Sequence, residues 1–469
     1  MTQHSKKVKS KPQKKYSRRK QSNSFPTMNT NAAGIDIGSG EHWVAVPEDR
    51  DDKPVRKFGC FTAELHAIAD WLENCGIETV AMESTGVYWI PVFQILESHG
   101  FEVKLVNAKH VKNVPGRKTD VLDCQWLQRL HTYGLLSGSF RPEDSICVLR
   151  SYWRHRDNLI RYAAAHVQHM QKALTEMNIQ LHKVISDITG VTGMCIIRAI
   201  LAGERNTVKL AQMRDPRIKS SVETIAKALE GDYRKEHLFA LKQALELYEF
   251  YHHQIEACDQ QIEACLIQFD SKVDLKSNPI PVSKRGNKKP QRNAPRFELR
   301  THLYRITGVD FTQIDGLDAL SVQDIVSEVG LDPGEFSTSK RFASWLGLCP
   351  HNRITGGQIK GSKTRKVVNR AAEAFRLSAQ ALSNSSSALG AYYRRMRARL
   401  GAPKAITATA HKLARIFYHL WKTGQLYKDP GPDYYEQKYK ERVLSNIKKK
   451  AQQLGYQITL EPLANGEVS

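Results

Sequence analysis

AAGIDIG, residues 32–38, is the first of five short apolar segments near the amino end of the chain. The others, in chain order, are HWVAVPEDRDD, VRKFGCF, ETVAMES and EVKLVNA. Helical patterns begin after Phe61, Val87 and Thr119. Short apolar runs of this kind predict strands. Between the later runs, apolar residues recur every three or four positions, which predicts helices. Three strands in a meander, followed by alternating helix and strand, predict a mixed α/β sheet.

Four acidic residues occupy informative positions on this predicted sheet. Asp36 lies inside the first strand and Glu83 at the end of the fourth, while Asp120 and Asp123 begin the helix in KTDVLDCQWL, residues 118–127. A spacing of three places both aspartates on one helix face. Adjacent strands could bring Asp36 and Glu83 together, with the two aspartates laid across them. Converging carboxylates repel one another unless cations neutralise them, and such oxygen ligands suit Mg²⁺ or Mn²⁺.

Two such ions can activate a nucleophile and stabilise the leaving oxygen of a phosphodiester. Each acid also has a structural explanation, since an Asp beside Gly is often a turn or edge residue and Asp120 suits the positive end of a helix dipole. The order and placement of all four favour the catalytic interpretation. GIDIGSG also resembles the first phosphate loop of actin-like and sugar-kinase ATPases, but the sequence contains neither a second such loop nor a Walker-type motif.

Charge and composition indicate the class of partner. The chain has 469 residues, enough for two or three domains, and a net charge of +22. Such an excess of positive charge predicts a polyanionic partner, first of all nucleic acid. No apolar run is long enough to span a membrane or to form the core of a secretory signal, so we expect a cytoplasmic protein. Eight cysteines without metal-ligand spacing predict reduced thiols, with neither disulfides nor zinc.

The remaining segments have distinct patterns. We expect residues 1–32 to be a disordered basic tail. Two apolar seams of alternating three- and four-residue spacing, from Ile160 to Ile188 and from Leu241 to Phe269, predict a helical coiled-coil region over 149–269. The two seams suit either an antiparallel hairpin or a dimerisation arm. Residues 270–300 are predicted to be a basic linker or insert, and residues 431–469 a basic helical tail.

The last predicted domain, residues 301–430, contains a basic loop that could meet a nucleic acid strand. It bears Thr355-Gly356-Gly357 and then Lys360, Lys363, Arg365, Lys366 and Arg370 around the start of a new helix. Glycines let the loop approach a strand, the basic residues would hold its phosphates, and a hydroxyl could act as a nucleophile. A hydroxyl in such a loop is more often a phosphate contact than a catalytic group.

Five motifs together resemble one family. GIDIG, AMESTGVYW, KTDVLDCQWL, ITGVTGMCIIRAILAGER and FASWLGLCPHNRITGG resemble the DEDD transposases of the bacterial insertion-sequence-110 family, the bridge-RNA-guided recombinases, over about residues 33 to 425. The resemblance implies a RuvC-like, RNase H-type catalytic domain over 33–148, with its metal site at Asp36, Glu83, Asp120 and Asp123. It also implies a coiled-coil region and a mainly α-helical C-terminal transposase domain.

In this family a serine of the C-terminal domain attacks DNA to form a 5′-phosphoserine link, with the metal site of one subunit beside the serine of another. The matching position here is Thr355, whose β-branch stiffens the side chain, and Ser362 is the fallback. The resemblance implies DNA and a structured guide (bridge) RNA as partners, homodimers that pair into homotetramers, and a place beside the bacterial nucleoid.

The expected function is excision and insertion of an insertion sequence by Mg²⁺-dependent phosphodiester transfer through a covalent hydroxyl-linked DNA intermediate. One alternative is a RuvC-like structure-specific nuclease that uses water as its nucleophile. A second alternative is a non-catalytic RNA- or DNA-binding protein, against which the complete set of four acids argues.

Overall fold

Five strands form one mixed sheet in the computed structural model, which describes residues 26–107, 120–284, 293–365 and 367–457, without the side chain of Glu436. They are β1 (Ala32–Ile37), β2 (Glu41–Ala45), β3 (Val55–Gly59), β4 (Thr79–Glu83) and β5 (Glu102–Val106). The order in the sheet is β3-β2-β1-β4-β5, with antiparallel pairs β1–β2 and β2–β3 and parallel pairs β1–β4 and β4–β5. The predicted mixed sheet is confirmed, and it is compatible with an RNase H-like fold.

The chain divides into two compact units, Met1–Arg141 and Pro142–Ser469. The sheet belongs to the first unit. The predicted tail as far as residue 25 lies outside the described residues, as do residues 285–292 of the predicted linker. Met28 and Asn29, which fall within the predicted tail, donate backbone hydrogen bonds to the Thr132 carbonyl at 2.9 and 3.0 Å. These two residues are therefore attached to the first unit.

Helices cover both faces of the sheet because successive residues of a strand point to opposite sides. Ile35 and Ile37 of β1 pack in one buried cluster with helix α1 (Thr62–Asn74) and helix α2 (Trp89–Ser98). Gly34 faces the other side, where helix α3 (Asp120–Thr132) lies.

Gly34 sets how closely α3 approaches the sheet. A Cβ added at this glycine would lie 2.5 Å from the Cys124 carbonyl oxygen and 2.3 Å from the Gln128 nitrogen. The far end of α3 is tied to the amino ends of the strands, since the Gln128 side chain reaches the Ala32 carbonyl and His131 Nε2 lies 2.9 Å from Thr79 Oγ1. Helix α3 therefore runs antiparallel to β1, and its first turn lies toward the carboxyl end of that strand.

The second unit is mostly helical. Its described helices, with two short strands between α12 and α13, are α4 (Asp144–Glu176), α5 (Leu181–Val184), α6 (Val191–Leu201), α7 (Thr207–Ala211), α8 (Val222–Ala228), α9 (Lys235–Gln268), α10 (Leu299–Thr307), α11 (Ala319–Val329), α12 (Ser339–Trp345), α13 (Arg370–Ala381), α14 (Ala388–Leu400), α15 (Ala402–Thr423) and α16 (Tyr434–Gln453). The strands are β6 (Arg353–Thr355) and β7 (Gln358–Gly361). The mostly helical character predicted for this part is confirmed.

The two longest helices, α4 and α9, pack against each other within the chain. Near one end Cys258 donates to the Tyr152 carbonyl at 3.3 Å, and near the other His237 lies 3.3 Å from Glu176. As the residue number rises along α4, the residue number of its partner on α9 falls, so the two helices are antiparallel. A buried ion pair between Arg156 and Asp259 joins the helices, with 4% and 7% of their side-chain surfaces exposed. Of the two arrangements that the apolar seams suited, the chain contains the hairpin. A coiled-coil supercoil stays a prediction.

The first seam does not form one continuous helix as far as Ile188. Helix α4 ends at Glu176, and Asn178 adopts a left-handed backbone with φ of 56°. The Ile179 N–H then returns to the Leu174 carbonyl at 2.8 Å, which closes the helix end. Ile188 is nevertheless buried in the same core as Met170. Apolar spacing continues past the helix end because the following turn and the short helix α5 pack against the same core.

Aromatic rings form the core near the end of the second unit. Phe311 stacks on Phe417 with ring centroids 3.9 Å apart, and Phe375 meets Phe417 edge to face. The Tyr418 hydroxyl, also buried, donates to the Phe336 carbonyl. These contacts fix α13 and α15 around the aromatic core. Among the described helices, none combines the length and the apolar character that a membrane span requires.

Substitution of Gly34 by Ala is expected to weaken the packing of α3 on β1. The added methyl group would meet backbone atoms that cannot rotate away, so we expect the free energy of unfolding of the first unit to fall by about 1–3 kcal/mol. Hydrogen exchange of the β1 and α3 amides measures this change. Gly40→Ala is the matched control, because nothing lies within 4 Å of a Cβ at that position. Equal protection in the two variants would contradict the close approach.

Candidate functional site

Asp36 and Glu83 occupy neighbouring positions on adjacent parallel strands. The register pairs Gly34 with Ala81 and Ile35 with Met82. Continued by one residue, it places Asp36 beside Glu83 at the carboxyl end of both strands. Residues at equivalent positions of neighbouring strands share a face of the sheet. Both carboxylates therefore lie on the face that Gly34 shares, and both side chains are partly exposed.

Helix α3 brings the other two acids toward the same edge. Asp120 and Asp123 form part of its first turn, at the end of the helix that points toward the carboxyl end of β1. Cys124, the next residue, is buried. Burial raises the pKa of the Cys124 thiol to about 12, and the negative charges of Asp36 and Asp123 act in the same direction. One strand acid and one helix acid thus act on the same buried thiol.

The arrangement suits a hard divalent cation. The acids come from three elements, Asp120 is exposed, and the other three are partly exposed, so an ion and a phosphate could reach them. The positive end of the α3 dipole also favours its two aspartates, which is a structural reason for their presence. That dipole does not account for Asp36 and Glu83, which lie side by side on strands. Like charges at such positions are costly unless a cation neutralises them.

A second set of potential ligands was not predicted. Within the described residues, Asp70, Glu73 and His99 offer ligand atoms that lie within 4.8 Å of one another. Asp70 and Glu73 lie on α1 and His99 caps α2, so this set is on the opposite face of the sheet from Asp36. The two acids alone could have been paired by their helical spacing, but His99 is distant in sequence. The set is therefore separate from the four predicted acids.

Thr355 lies at the tip of a hairpin formed by strands β6 and β7, where the sequence predicts a loop. Thr355 pairs with Gln358, and between them Gly356 and Gly357 have φ of 55° and 75°. Two consecutive residues with positive φ are typical of a tight two-residue hairpin turn, which glycine permits. The three- and four-residue strands were too short for their pattern to be recognised.

The hairpin tip is open. Nothing lies within 4 Å of a Cβ built on Gly356 or Gly357, and all three residues of β6 are exposed. Ile354 and Ile359, paired across the two strands, are also exposed, at 63% and 60%. The Thr355 hydroxyl therefore stands beside a backbone that carries no side chains.

The basic residues predicted to hold phosphates differ in their surroundings. Arg365 donates to the Ser344 carbonyl at 2.5 Å, and Arg370 lies 3.2 Å from Asp157. Lys360 lies 3.2 Å from the side-chain oxygen of Gln358, and Lys363 is exposed. Lys366 lies outside the described residues. Contact of these residues with nucleic acid stays a prediction.

Substitution of Gly357 by Ala is expected to loosen the hairpin tip. A left-handed backbone costs a residue with a side chain about 1–2 kcal/mol, so the hydrogen-exchange protection of β6 and β7 should fall roughly 5- to 30-fold. Gly361→Ala is the control, because that glycine has open space and an ordinary φ. If the β6 and β7 amides of both variants exchanged at the rate of the unsubstituted protein, the assignment of a positive-φ turn to Gly357 would be wrong.

Comparison with known families gives two matches along the chain. Residues 33–179 match the DEDD_Tnp_IS110 family model, described as a transposase, and residues 310–394 match the model for transposases of the IS116/IS110/IS902 family. No curated protein matches the chain. The first match includes all four acids and the second includes Thr355. Both matches support a transposase function, with DNA as the substrate. The chain belongs to the insertion-sequence-110 (IS110) family of transposases.

Proposed function

We propose that this transposase excises and inserts an insertion sequence by divalent-metal-dependent phosphodiester transfer, through a covalent link between DNA and Thr355. The observation that carries this proposal is the strand register that puts Asp36 beside Glu83, at the sheet edge toward which the first turn of α3 points. The family membership supplies the substrate class, which is DNA.

Asp36, Glu83, Asp120 and Asp123 would hold the cation, Mg²⁺ or Mn²⁺. When bound, such an ion supplies positive charge that stabilises the oxygens of a phosphodiester. Asp36 and Glu83 are positioned by strands, which limits their movement, and Asp123 is fixed by a helix whose backbone touches β1 at Gly34. A set of ligands on rigid elements keeps its geometry as the substrate binds.

Thr355 would provide the nucleophile. Its Oγ1 attacks the scissile phosphorus and loses its proton, the bond from Oγ1 to phosphorus forms, and the bond from phosphorus to the 3′ oxygen breaks. One proton is released from Oγ1 and one is taken up by the leaving 3′ oxygen, so the step balances. The leaving strand ends in a 3′ hydroxyl, and the 5′ phosphate stays on the protein. Attack by a second 3′ hydroxyl reverses the step and rejoins DNA, so no nucleotide hydrolysis is needed. The side-chain-free Gly356 and Gly357 leave room for the strand to approach.

Guidance by a structured RNA and assembly into dimers and tetramers are parts of the same proposal. Their support is the resemblance of the sequence motifs, together with a net charge of +22 that suits nucleic acid partners. In RNA-guided systems base pairing reads the target sequence, while protein side chains contact backbone and shape. A location in the bacterial cytoplasm, beside the nucleoid, would follow from this function.

A RuvC-like nuclease is the second candidate function. The observation that favours it is the residue at position 355, because a β-branched threonine is a more hindered nucleophile than the serine that the family resemblance implies. Water would then attack the phosphorus, and the same four acids would be used.

Loss of one strand acid is expected to weaken metal binding and to suppress recombination. Asp36→Asn and Glu83→Gln should weaken Mn²⁺ binding measured by calorimetry and lower the yield of excised circles by at least about 100-fold, since a charge that stabilises the reacting phosphate is lost. Glu102→Gln is the control, because Glu102 is an exposed acid at the other end of the same sheet. Metal binding and circle formation that persist in both strand variants would refute the proposed site.

Substitution of Thr355 separates the two candidate functions. We expect Thr355→Val to form no covalent DNA adduct and no circles, and Thr355→Ser to retain both, because only the hydroxyl is needed. The adduct is mapped by mass spectrometry after nuclease digestion. Ser362→Ala, seven residues away, should behave as the unsubstituted protein does. An adduct on any residue other than Thr355 would make the assignment wrong, and metal-dependent cutting by Thr355→Val without an adduct would favour the nuclease.

A further inference from the structure

Helices α14, α15 and α16 enclose a groove of about 260 Å³ that is strongly basic. Five cationic side chains line it, and none of its described lining residues is acidic. The cations are Arg395, Arg399, Lys412, Lys438 and Arg442. Such a concentration of positive charge without a carboxylate is unfavourable in the free protein, and it indicates a site for an anion.

Tyrosine rings contact four of these cations without neutralising them, and the closest contacts are those of Lys412 and Arg395. The Lys412 ammonium lies 3.9 Å from the centroid of the Tyr435 ring and 4.6 Å from that of Tyr392. The Arg395 guanidinium lies 3.7 Å from the Tyr439 ring. Contacts with ring faces orient a cation without supplying negative charge. One Arg395 nitrogen also donates to the Tyr435 carbonyl at 3.2 Å, and this neutral acceptor leaves the positive charge in place. The charges of the groove are therefore positioned.

The groove continues beyond Lys412. A neighbouring cavity shares Tyr392 and Lys412 with it and adds Arg415 and two histidines of α15. Together the two cavities form a basic track interleaved with aromatic rings, which is the pattern of surfaces that follow a nucleic acid backbone. A single small anion would occupy only part of this track.

We propose that the groove between α14, α15 and α16 binds the sugar-phosphate backbone of a nucleic acid strand, with one phosphate at Lys412. The site lies largely outside the family matches, since the second of these ends at residue 394. It rests on the proposed action on nucleic acid, but it does not involve the four acids or Thr355. Phosphates of DNA and of RNA have the same chemistry, so the test must distinguish them.

The first experiment removes two exposed charges from α16. The double variant Lys438→Gln with Arg442→Gln is tested against a duplex DNA and a single-stranded RNA of equal length. Its affinity should fall for both nucleic acids, or for only the one that occupies the groove. The plot of the log of the association constant against the log of the salt concentration has a negative slope. The magnitude of this slope should decrease by about two, or somewhat less for RNA, because about one counterion is released per phosphate contact. Binding is measured in EDTA, so failure of the metal chemistry cannot affect the result.

The control for this pair is Lys448→Gln with Lys450→Gln. It removes the same charge from the same helix at positions that do not line the groove. A weakening seen only with DNA, or only with RNA, identifies the occupant and supports the proposal. A salt slope and dissociation constant equal to those of the control pair, for both nucleic acids, would overturn it.

The second experiment tests the position of the phosphate by pH. Burial lowers the pKa of Lys412 to about 8, and the charges of Arg415 and Lys438 add to this effect. Lys412 thus loses its charge as the pH rises from 7 to 9, and affinity should fall by up to about tenfold. The Lys412→Arg variant, whose guanidinium stays charged, should lose less affinity over this range.

The other groups that face the groove must be considered in this pH range. Burial raises the pKa of Tyr392 on α14, and it raises that of Tyr435 on α16 to about 12, so both stay neutral. An arginine guanidinium is not deprotonated in proteins, so the arginines Arg399 and Arg415 do not contribute to this pH dependence. Burial lowers the pKa of His411, so this residue is neutral from pH 7 upward. An equal loss of affinity in Lys412→Arg and the unsubstituted protein would overturn the placement of a phosphate at Lys412.

Discussion

The contact on which the candidate site depends is the approach of helix α3 to strand β1 at Gly34. A helix usually packs on a sheet through side chains, but here the Cys124 carbonyl and the Gln128 backbone come so near that no Cβ fits between them. This contact sets the height of α3 above the sheet, while the hydrogen bonds of its last turn set its direction. The two aspartates of its first turn are consequently held at a fixed distance from the strand acids.

Much of this arrangement could be predicted because it follows from local pattern. Short apolar runs typical of strands placed Asp36 within β1 and Glu83 at the end of β4, and the spacing of Asp120 and Asp123 indicated one helix face. The sequence could suggest that β1 and β4 are neighbours, but it could not establish their parallel register, since register depends on tertiary packing. The apolar seam also predicted that the first long helix continues past Glu176. This was wrong for a related reason, because the residues after the end of α4 are buried in the same core.

Other features could not be predicted from the sequence, and each has a physical reason. The hairpin at Thr355 has strands of three and four residues, too short for alternation to be distinguished from chance. The basic groove joins Tyr392, Lys412 and Tyr435, which are separated by twenty or more residues and meet only through helix packing. Net charge predicted a polyanionic partner, but it could not show where on the molecule the charges gather.

The hairpin of α4 and α9 has a mechanical consequence. A helix of 33 residues is about 50 Å long, and the far end of this pair carries a core of its own, which includes Met170, Leu174, Ile197, Leu210, Ile225 and Leu241. The buried Arg156–Asp259 ion pair opposes sliding, because a shift of one helical turn would leave two charges unpaired. The hairpin is thus a rigid projection with a folded end. A force applied at that end would move the two helices together as one body, with little bending between them.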